Sequence, residues 1–266
     1  MRRVVMVLLL VACSKKASVD DGPAQRFPIV PDSVMGQLGA VGFVLAVDLH
    51  RLDLTRVRSM IPDDLACLND IARDAKAAVI TVGIPETWEA RVTGLTAAGI
   101  ADCVGKTAKV FGVAVTHEAD DSTTLAIPGN PLSLVWKGDQ LVITEKGERQ
   151  RYGDPPGVIT DLLHQVPRDV KGWIVGSGFP KYKIKSMVAW LETTDSVWTF
   201  TINAESTEAG AAKPWVESVT RGFRAAADAK GVAVDDKWFT ITSSTPTTAK
   251  LVAAIPIGAF VPTRSP

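Results

Sequence analysis

A repeated tetrapeptide, each time placed after an amphipathic segment, restricts the folds open to this chain more than any other pattern in it. Gly-Val-Ala-Val occurs at 112–115 and again at 231–234. Each copy follows a segment whose apolar residues recur at three- and four-residue steps, as on one face of a helix. Glycine is the usual left-handed C-terminal cap, so both helices are predicted to end at the repeat. The chain is therefore predicted to contain two copies of one plan. The apolar faces consist of Ile100, Cys103, Val104, Ala108 and Phe111 in the first helix, and of Trp215, Val216, Val219, Phe223 and Ala226 in the second.

Strand patterns surround both helices in the same order. A hairpin pattern precedes each helix, a buried strand pattern precedes each hairpin, and further strands follow each helix. Hairpins imply antiparallel sheets. The predicted fold is therefore α+β, with two tandem similar units at 34–149 and 150–266, each an antiparallel sheet with helices packed on one face. The predicted strands lie at 43–47, 79–82, 88–92, 132–136, 141–144, 173–175, 188–191, 197–202 and 238–241, and a short helical stretch lies at 159–166.

The amino terminus has the pattern of an export signal. Arg2 and Arg3 give a positive start, an apolar run follows from 4 to 11, and the chain turns polar after Cys13. A charged start, a short apolar run and small residues before a cleavage point are typical of a signal peptide. The run is too short to cross a bilayer, which takes about 20 apolar residues. We predict a signal peptide at 1–12.

Leu10-Val11-Ala12-Cys13 resembles the lipobox of bacterial lipoproteins. The resemblance implies that the Cys13 thiol and the new amino terminus are acylated, which would make 13–33 a lipidated tether. Two or more acyl chains anchor a protein stably in a membrane. By family analogy, Ser14 after the cysteine points to the outer membrane of a Gram-negative cell. The alternative is an ordinary signal peptide with an incidental cysteine.

Cys67 and Cys103 remain as an even pair if Cys13 carries lipid. In an oxidising compartment an even pair predicts a disulfide. Two unpaired buried thiols remain the main alternative. A metal site is a poorer interpretation, because the cysteines are far apart and have no neighbouring histidine at ligand spacing.

The charge balance bears on the class of partner. Removal of Arg2 and Arg3 with the signal leaves 27 basic against 29 acidic residues, a net charge of −2. A near-neutral chain has no electrostatic reason to bind nucleic acid. We therefore expect contacts with a membrane, through Cys13, and with an envelope protein.

Several motifs resemble functional sites but fit structural roles better. Gly105-Lys106-Thr107 lacks the earlier glycine of a phosphate-binding loop and lies within a predicted helix. Ser177 lacks the flanking pattern of a nucleophile elbow, and Gly178-Phe179-Pro180 is predicted to be a loop. The three histidines, His50, His117 and His164, have no partner at metal-ligand spacing. Three aspartate pairs, at 63–64, 120–121 and 235–236, fit turns and helix starts better than calcium loops. The sequence thus predicts no catalytic residue, metal or cofactor.

One basic cluster containing an aromatic residue is a candidate contact surface. Lys181, Tyr182, Lys183 and Lys185 could touch anionic headgroups or a protein partner. The alternative is an edge strand or loop with solvated lysines. Five of the seven tryptophans lie in the second unit, where we expect most of them to be buried in the core.

The body of the chain is similar to repeat-containing lipoproteins, of unassigned function, from soil-dwelling Gram-negative bacteria. The likeness rests on 43–52, a strand followed by Asp48 and a leucine-spaced helix, and on the paired cysteines. It implies no activity. The first hypothesis is a membrane-anchored envelope lipoprotein with a non-enzymatic binding or structural role. The alternatives are a binding module for an apolar ligand, with a pocket lined by residues such as Trp190 or Phe223, and an enzyme of unrecognised type.

Overall fold

The computed structural model describes residues 41–49, 66–83, 88–118, 122–127, 131–137, 140–145, 157–194, 196–229, 231–256 and 259. These residues belong to two compact units, a first unit within 41–145 and a second unit within 157–259. The predicted signal peptide, Cys13 and its tether lie outside the described residues, as do His50 and the aspartate pairs at 63–64 and 120–121.

The described part of the first unit is an antiparallel sheet with two helices. Its strands run in the spatial order β1-β2-β3-β7-β6-β5-β4. The elements are β1 (Val41–Asp48), α1 (Cys67–Asp74), β2 (Ala77–Gly83), β3 (Trp88–Thr93), α2 (Ala97–Phe111), β4 (Val115–His117), β5 (Thr123–Leu125), β6 (Leu132–Lys137) and β7 (Gln140–Glu145).

Both helices of the first unit pack on the same face of its sheet. Ile100 of α2 forms a buried cluster with Leu134 and Leu141, and Ile71 of α1 packs against that cluster. For these helices the predicted one-sided packing is confirmed. The strands at 115–117 and 123–125 were not predicted, because three residues are too few to show an alternating pattern.

The second unit is also antiparallel, with strands in the order β8-β9-β10-β12-β11. The fold class is α+β, as predicted. The elements are α3 (Gly157–Leu163), β8 (Gly172–Phe179), a 3₁₀ turn (Pro180–Tyr182), β9 (Ile184–Thr193), β10 (Val197–Ser206), α4 (Ala212–Asp228), a second 3₁₀ turn (Asp236–Trp238), β11 (Phe239–Thr242) and β12 (Thr248–Pro256).

The two helices of the second unit lie on opposite faces of its sheet. Phe223 of α4 contacts Phe239 of β11, with ring centroids 5.6 Å apart. Leu162 of α3 instead lies beside Val188 and Asn203, whose side chains point to the other face. The predicted packing of helices on one face is therefore wrong for this unit, because α3 precedes the sheet and covers the face that α4 leaves open.

Both long helices end in the same hydrogen-bond pattern, at the repeated Gly-Val. Gly112 and Gly231 have φ of 64° and 69°, in the left-handed region. The N–H of Val113 reaches the carbonyl of Ala108 at 2.8 Å, and that of Val232 reaches Ala227 at 3.0 Å. Each of these bonds runs from an N–H to the carbonyl five residues earlier, as in a Schellman motif. The predicted glycine cap is confirmed for α2, whereas α4 ends at Asp228 with Ala229 as its C-cap, so Gly231 lies two residues beyond the cap.

One strand boundary and one whole strand of the second unit differ from the sequence prediction. β8 continues through Phe179, so Gly178 and Phe179 lie in a strand, not in the predicted loop. The last strand, β12, was missed, although Ala249, Leu251 and Ala253 alternate with exposed or half-buried residues. Alanine contributes little to an apolar pattern, so the alternation in this segment does not predict a strand.

Candidate functional site

An open groove of about 360 Å³ lies on the face of the second unit's sheet opposite α4. We call it the sheet groove. Leu162 forms part of one wall together with Gln165, which follows α3, and the floor is formed by β9, β10 and β12. Thr242, at the end of β11, lies at its outer side.

The strand register places the polar groups of the sheet groove in two adjacent rows. Val188, Asn203, Lys250 and Thr242 are direct cross-strand neighbours from β9 to β11. Directly opposed side chains in a sheet have Cβ atoms about 4.5–5.5 Å apart and point to the same face. Asn203, Lys250 and Thr242 therefore present an amide, an ammonium and a hydroxyl along one line, beside the buried Val188.

The second row is Ser186, Glu205 and Thr248. Glu205 accepts a hydrogen bond from Ser186 Oγ at 3.3 Å and forms an ion pair with Lys185 Nζ at 2.8 Å. The carboxylate charge of Glu205 is thus opposed by Lys185. Among the described residues no ion pair involves Lys250, which is exposed. Lys250 is therefore a cation of the groove floor without an ion-pair partner among the described residues, and Glu205, its diagonal neighbour in the register, binds Lys185 instead.

The predicted contact cluster borders the sheet groove but is not an open basic patch. Lys181 lies 5.8 Å from the ring centroid of Tyr182, in the 3₁₀ turn. Lys183 pairs with Glu208 at 2.6 Å, and Lys185 pairs with Glu205. Lys181 and Lys183 are exposed in and beside a turn, which agrees with the alternative of a loop with solvated lysines. Lys185 lies on β9, which has β8 and β10 as neighbours, so an edge strand is wrong for this segment.

Lys183 has a left-handed backbone conformation, with φ of 56°. The Thr207 N–H and hydroxyl donate to its carbonyl at 2.9 and 3.2 Å, and the Glu208 carboxylate binds its ammonium. A side chain with a Cβ atom adopts this conformation only at a cost, so these three contacts hold the turn in place.

A disulfide joins Cys67 at the start of α1 to Cys103 in the middle of α2, with the Cα atoms 5.3 Å apart. The predicted pairing is confirmed. The Thr107 hydroxyl lies 3.8 Å from Cys103 Sγ and 4.0 Å from Cys67 Sγ. The bridge ties a short helix to a long one within the first unit and has no visible link with a binding site.

A buried charge pair in the first unit was not predicted. Glu89 and Arg91 alternate with Ala90 and Val92 along β3, and are 3% and 4% exposed. Arg91 Nε binds Glu89 Oε1, and Arg91 Nη1 lies 3.4 Å from Gln140 Oε1. The alternation would ordinarily place these charges in solvent, so the sequence holds no local signal for their burial.

The described histidines and Ser177 do not form a reactive group. His117 is exposed on β4 and contacts Thr123 Oγ1 at 3.2 Å. His164 is exposed beyond α3, and Ser177 lies in β8. In the part of the chain that the structure describes, no three His, Cys, Asp or Glu side chains gather at metal-binding distances. Nor is any of the described helices long and apolar enough to cross a membrane.

The aromatic residues expected to line an apolar cavity are otherwise engaged. Phe223 packs edge-on against Phe239. Trp190 is half-buried, and its Nε1 donates to Glu192 at 3.0 Å. Trp173 and Trp198 are buried, as expected of core residues, whereas the remaining tryptophans of the second unit are half-buried. Neither Phe223 nor Trp190 lines the sheet groove.

Comparison with solved structures shows a likeness of fold to TP0453. Crystal form III of TP0453 matches with a TM-score of 0.50 at 12% identity, over 84% of this chain and 92% of that one. Crystal form I gives 0.47 at 10% identity, over 85% and 93% of the two chains. Crystal form IV gives 0.45 at 9% identity, over 86% and 94%. No protein-family model and no curated protein matches the chain. At 12% identity the similarity to TP0453 is one of fold alone.

Proposed function

We propose that this protein is a lipid-anchored envelope protein with a non-enzymatic binding role, and that its second unit binds part of another envelope protein in the sheet groove. The signal pattern at 1–12 and Cys13 support the anchor. The sheet groove supports the binding role, and it is the single observation on which that role depends.

The character of the sheet groove favours a solvated protein segment over an apolar ligand. Pockets for small molecules are concave, mostly apolar and bury most of the ligand. The sheet groove is open on one side, and Asn203, Glu205 and Lys250 line its floor. A partner with polar side chains and a hydrated backbone suits such a surface. The carrier alternative would need an enclosed apolar cavity beside Trp190 or Phe223, and both side chains are engaged in other contacts.

The binding role can be tested by photo-crosslinking in the native envelope. A photoreactive amino acid at Thr242 would lie at the outer side of the sheet groove, and one at Arg221 would lie on α4, on the opposite face of the sheet. We expect a defined protein adduct from position 242 and none from position 221. Equal yields from both positions, or adducts with many proteins, would contradict a specific partner in the groove.

The anchor has its own test. Cells fed a clickable fatty acid should label the unaltered chain and leave the Cys13→Ser variant unlabelled. The unaltered chain should fractionate with the outer membrane, and the variant should not. Labelling that persists in Cys13→Ser would remove Cys13 as the attachment point.

We also infer that the two units are copies of one ancestral unit. In each unit three consecutive strands pair in order, the long helix follows, and the last strand of the unit returns to pair with the third. The shared Schellman motif at Gly112 and Gly231 supports the same origin. A relative in which the two halves are clearly similar in sequence would support the duplication, and it would strengthen the likeness to repeat-containing lipoproteins of soil-dwelling bacteria.

A further inference from the structure

We propose that the sheet groove recognises an acidic, extended peptide segment, laid alongside β11 with a carboxylate at Lys250. This inference rests on the proposed function, since it specifies the chemistry of the protein partner at the same site.

The charged side chains of the sheet groove favour a partner that carries a negative charge. Glu205 has Lys185 at 2.8 Å and the Ser186 hydroxyl at 3.3 Å, so an incoming cation would compete with an existing ion pair. Lys250 forms no ion pair with a described residue, since the carboxylate of its diagonal neighbour Glu205 is held by Lys185. A carboxylate is the group that gains most from this arrangement.

The neighbours of Lys250 make it a better anion site than a lysine on a convex surface. Asn203 and Thr242 flank it directly in the register and can donate further hydrogen bonds to a carboxylate. Leu162 in the wall and Val188 in the floor, which are 5% and 1% exposed, make the end of the groove beyond Asn203 apolar. A charged group in a concave site with low-dielectric walls interacts more strongly with a ligand than the same group in open solvent. Lys213 on α4 is exposed and lacks such walls.

The outer edge of β11 is the reason why we propose an extended conformation for the partner peptide. Among the described strands β11 has a single neighbour, β12, and Thr240 and Thr242 are exposed. The outer edge of such a strand carries N–H and C=O groups that an added strand can pair with. A peptide paired there would place alternate side chains over the face that holds Lys250. Because β11 has only four residues, backbone pairing is short, and the carboxylate contact is needed for selectivity.

A pair of model peptides tests this directly. The probes are fluorescent octapeptides of alternating Val and Glu or alternating Val and Gln, titrated against the full lipidated chain in detergent micelles. We expect the Glu peptide to bind and the Gln peptide to bind roughly threefold to fivefold more weakly. Lys250→Glu should weaken the Glu peptide by roughly tenfold, whereas Lys213→Glu, the same charge change on the opposite face, should leave its affinity within about twofold.

Three outcomes would overturn the inference. They are equal binding of the two peptides, an equal loss with Lys213→Glu, and no binding of the Glu peptide up to about 1 mM. Hydrogen exchange gives a second readout, since the amides of Phe239–Thr242 should be protected by the Glu peptide, and unchanged exchange would exclude pairing with β11. If crosslinks from position 242 persist in Lys250→Glu, the partner is real but is not held by its acidic character. If no crosslink forms at all, the proposed function itself fails.

Discussion

Removal of the Cys67–Cys103 disulfide should lower the free energy of unfolding by about 4 kcal/mol. The bridge joins residues 36 positions apart. In the chain-entropy model a loop of that length reduces the entropy of the unfolded chain by about 13 cal/mol/K, which is about 3.8 kcal/mol at 25 °C. Cys103 is 1% exposed, so its truncation also leaves a small void, which adds to the loss.

The structure indicates where this loss would be felt. α1 has eight residues and no side-chain hydrogen bond at its N-cap. A helix of that length is unstable in isolation, so it depends on its tertiary contacts. Apart from the disulfide, α1 is held by Ile71, which packs against the cluster of Ile100, Leu134 and Leu141. Without the disulfide, α1 should exchange its amide hydrogens faster than α2.

Urea unfolding of the Cys67→Ala/Cys103→Ala variant, followed by circular dichroism, would measure the effect. Both chains would carry Cys13→Ser so that neither has lipid. With a slope of about 1–3 kcal/mol per molar, the midpoint should fall by at least about 1 M urea. Thr107→Val is the control, because it removes the hydroxyl beside both sulfurs and retains the bridge. A double variant within about 1 kcal/mol of the parent would refute the entropic reasoning.

Three further predictions test local features of the fold by the same unfolding assay. Gly105→Ala, in the exposed middle of α2, should raise the free energy of unfolding by about 1 kcal/mol. Gly112→Ala, at the left-handed end of α2, should lower it by about 1 kcal/mol. Effects of the same sign would contradict the role of Gly112 as the helix cap. Lys183→Gly should have a free energy of unfolding about 1 kcal/mol higher than that of Lys183→Ala. Both variants lose the exposed ion pair with Glu208, but only glycine adopts the positive φ without strain. Equal stabilities would mean that the turn is unstrained. Leu251→Ala, at a position 2% exposed in β12, should cost about 2–5 kcal/mol, and a loss under 1 kcal/mol would place this strand outside the core.

Local patterns were sufficient for most of the elements. The hairpin predicted at 188–202 corresponds to β9 and β10, whose adjacent ends are joined by the hydrogen bond from the Thr194 N–H to the Val197 carbonyl at 2.9 Å. The end of α2 at Gly112 followed from the need for a left-handed residue. Such features depend on neighbouring residues in the chain, so their signals are present in short windows of sequence.

The candidate site was reached only in part from the sequence. The cluster at Lys181, Tyr182, Lys183 and Lys185 pointed to the right end of the second unit, yet two of its lysines are ion-paired. Lys250, the cation of the sheet groove, lies in β12, a strand that the sequence pattern did not predict. A groove across several strands depends on register, and register is set by pairings distant in sequence.

By itself, the sequence predicted the α+β class, the pairing of Cys67 with Cys103, the two long helices, the short helix that begins the second unit, and the hairpins that precede the long helices. The tertiary structure decided which surfaces are covered. Periodicity shows which residues of an element lie on the same side, but it does not show what packs against that side. For this reason Glu89 and Arg91 are buried although their alternation in β3 is typical of a solvent face. For the same reason α3 covers the face opposite α4, and the part of that face beyond α3 is left open as the sheet groove.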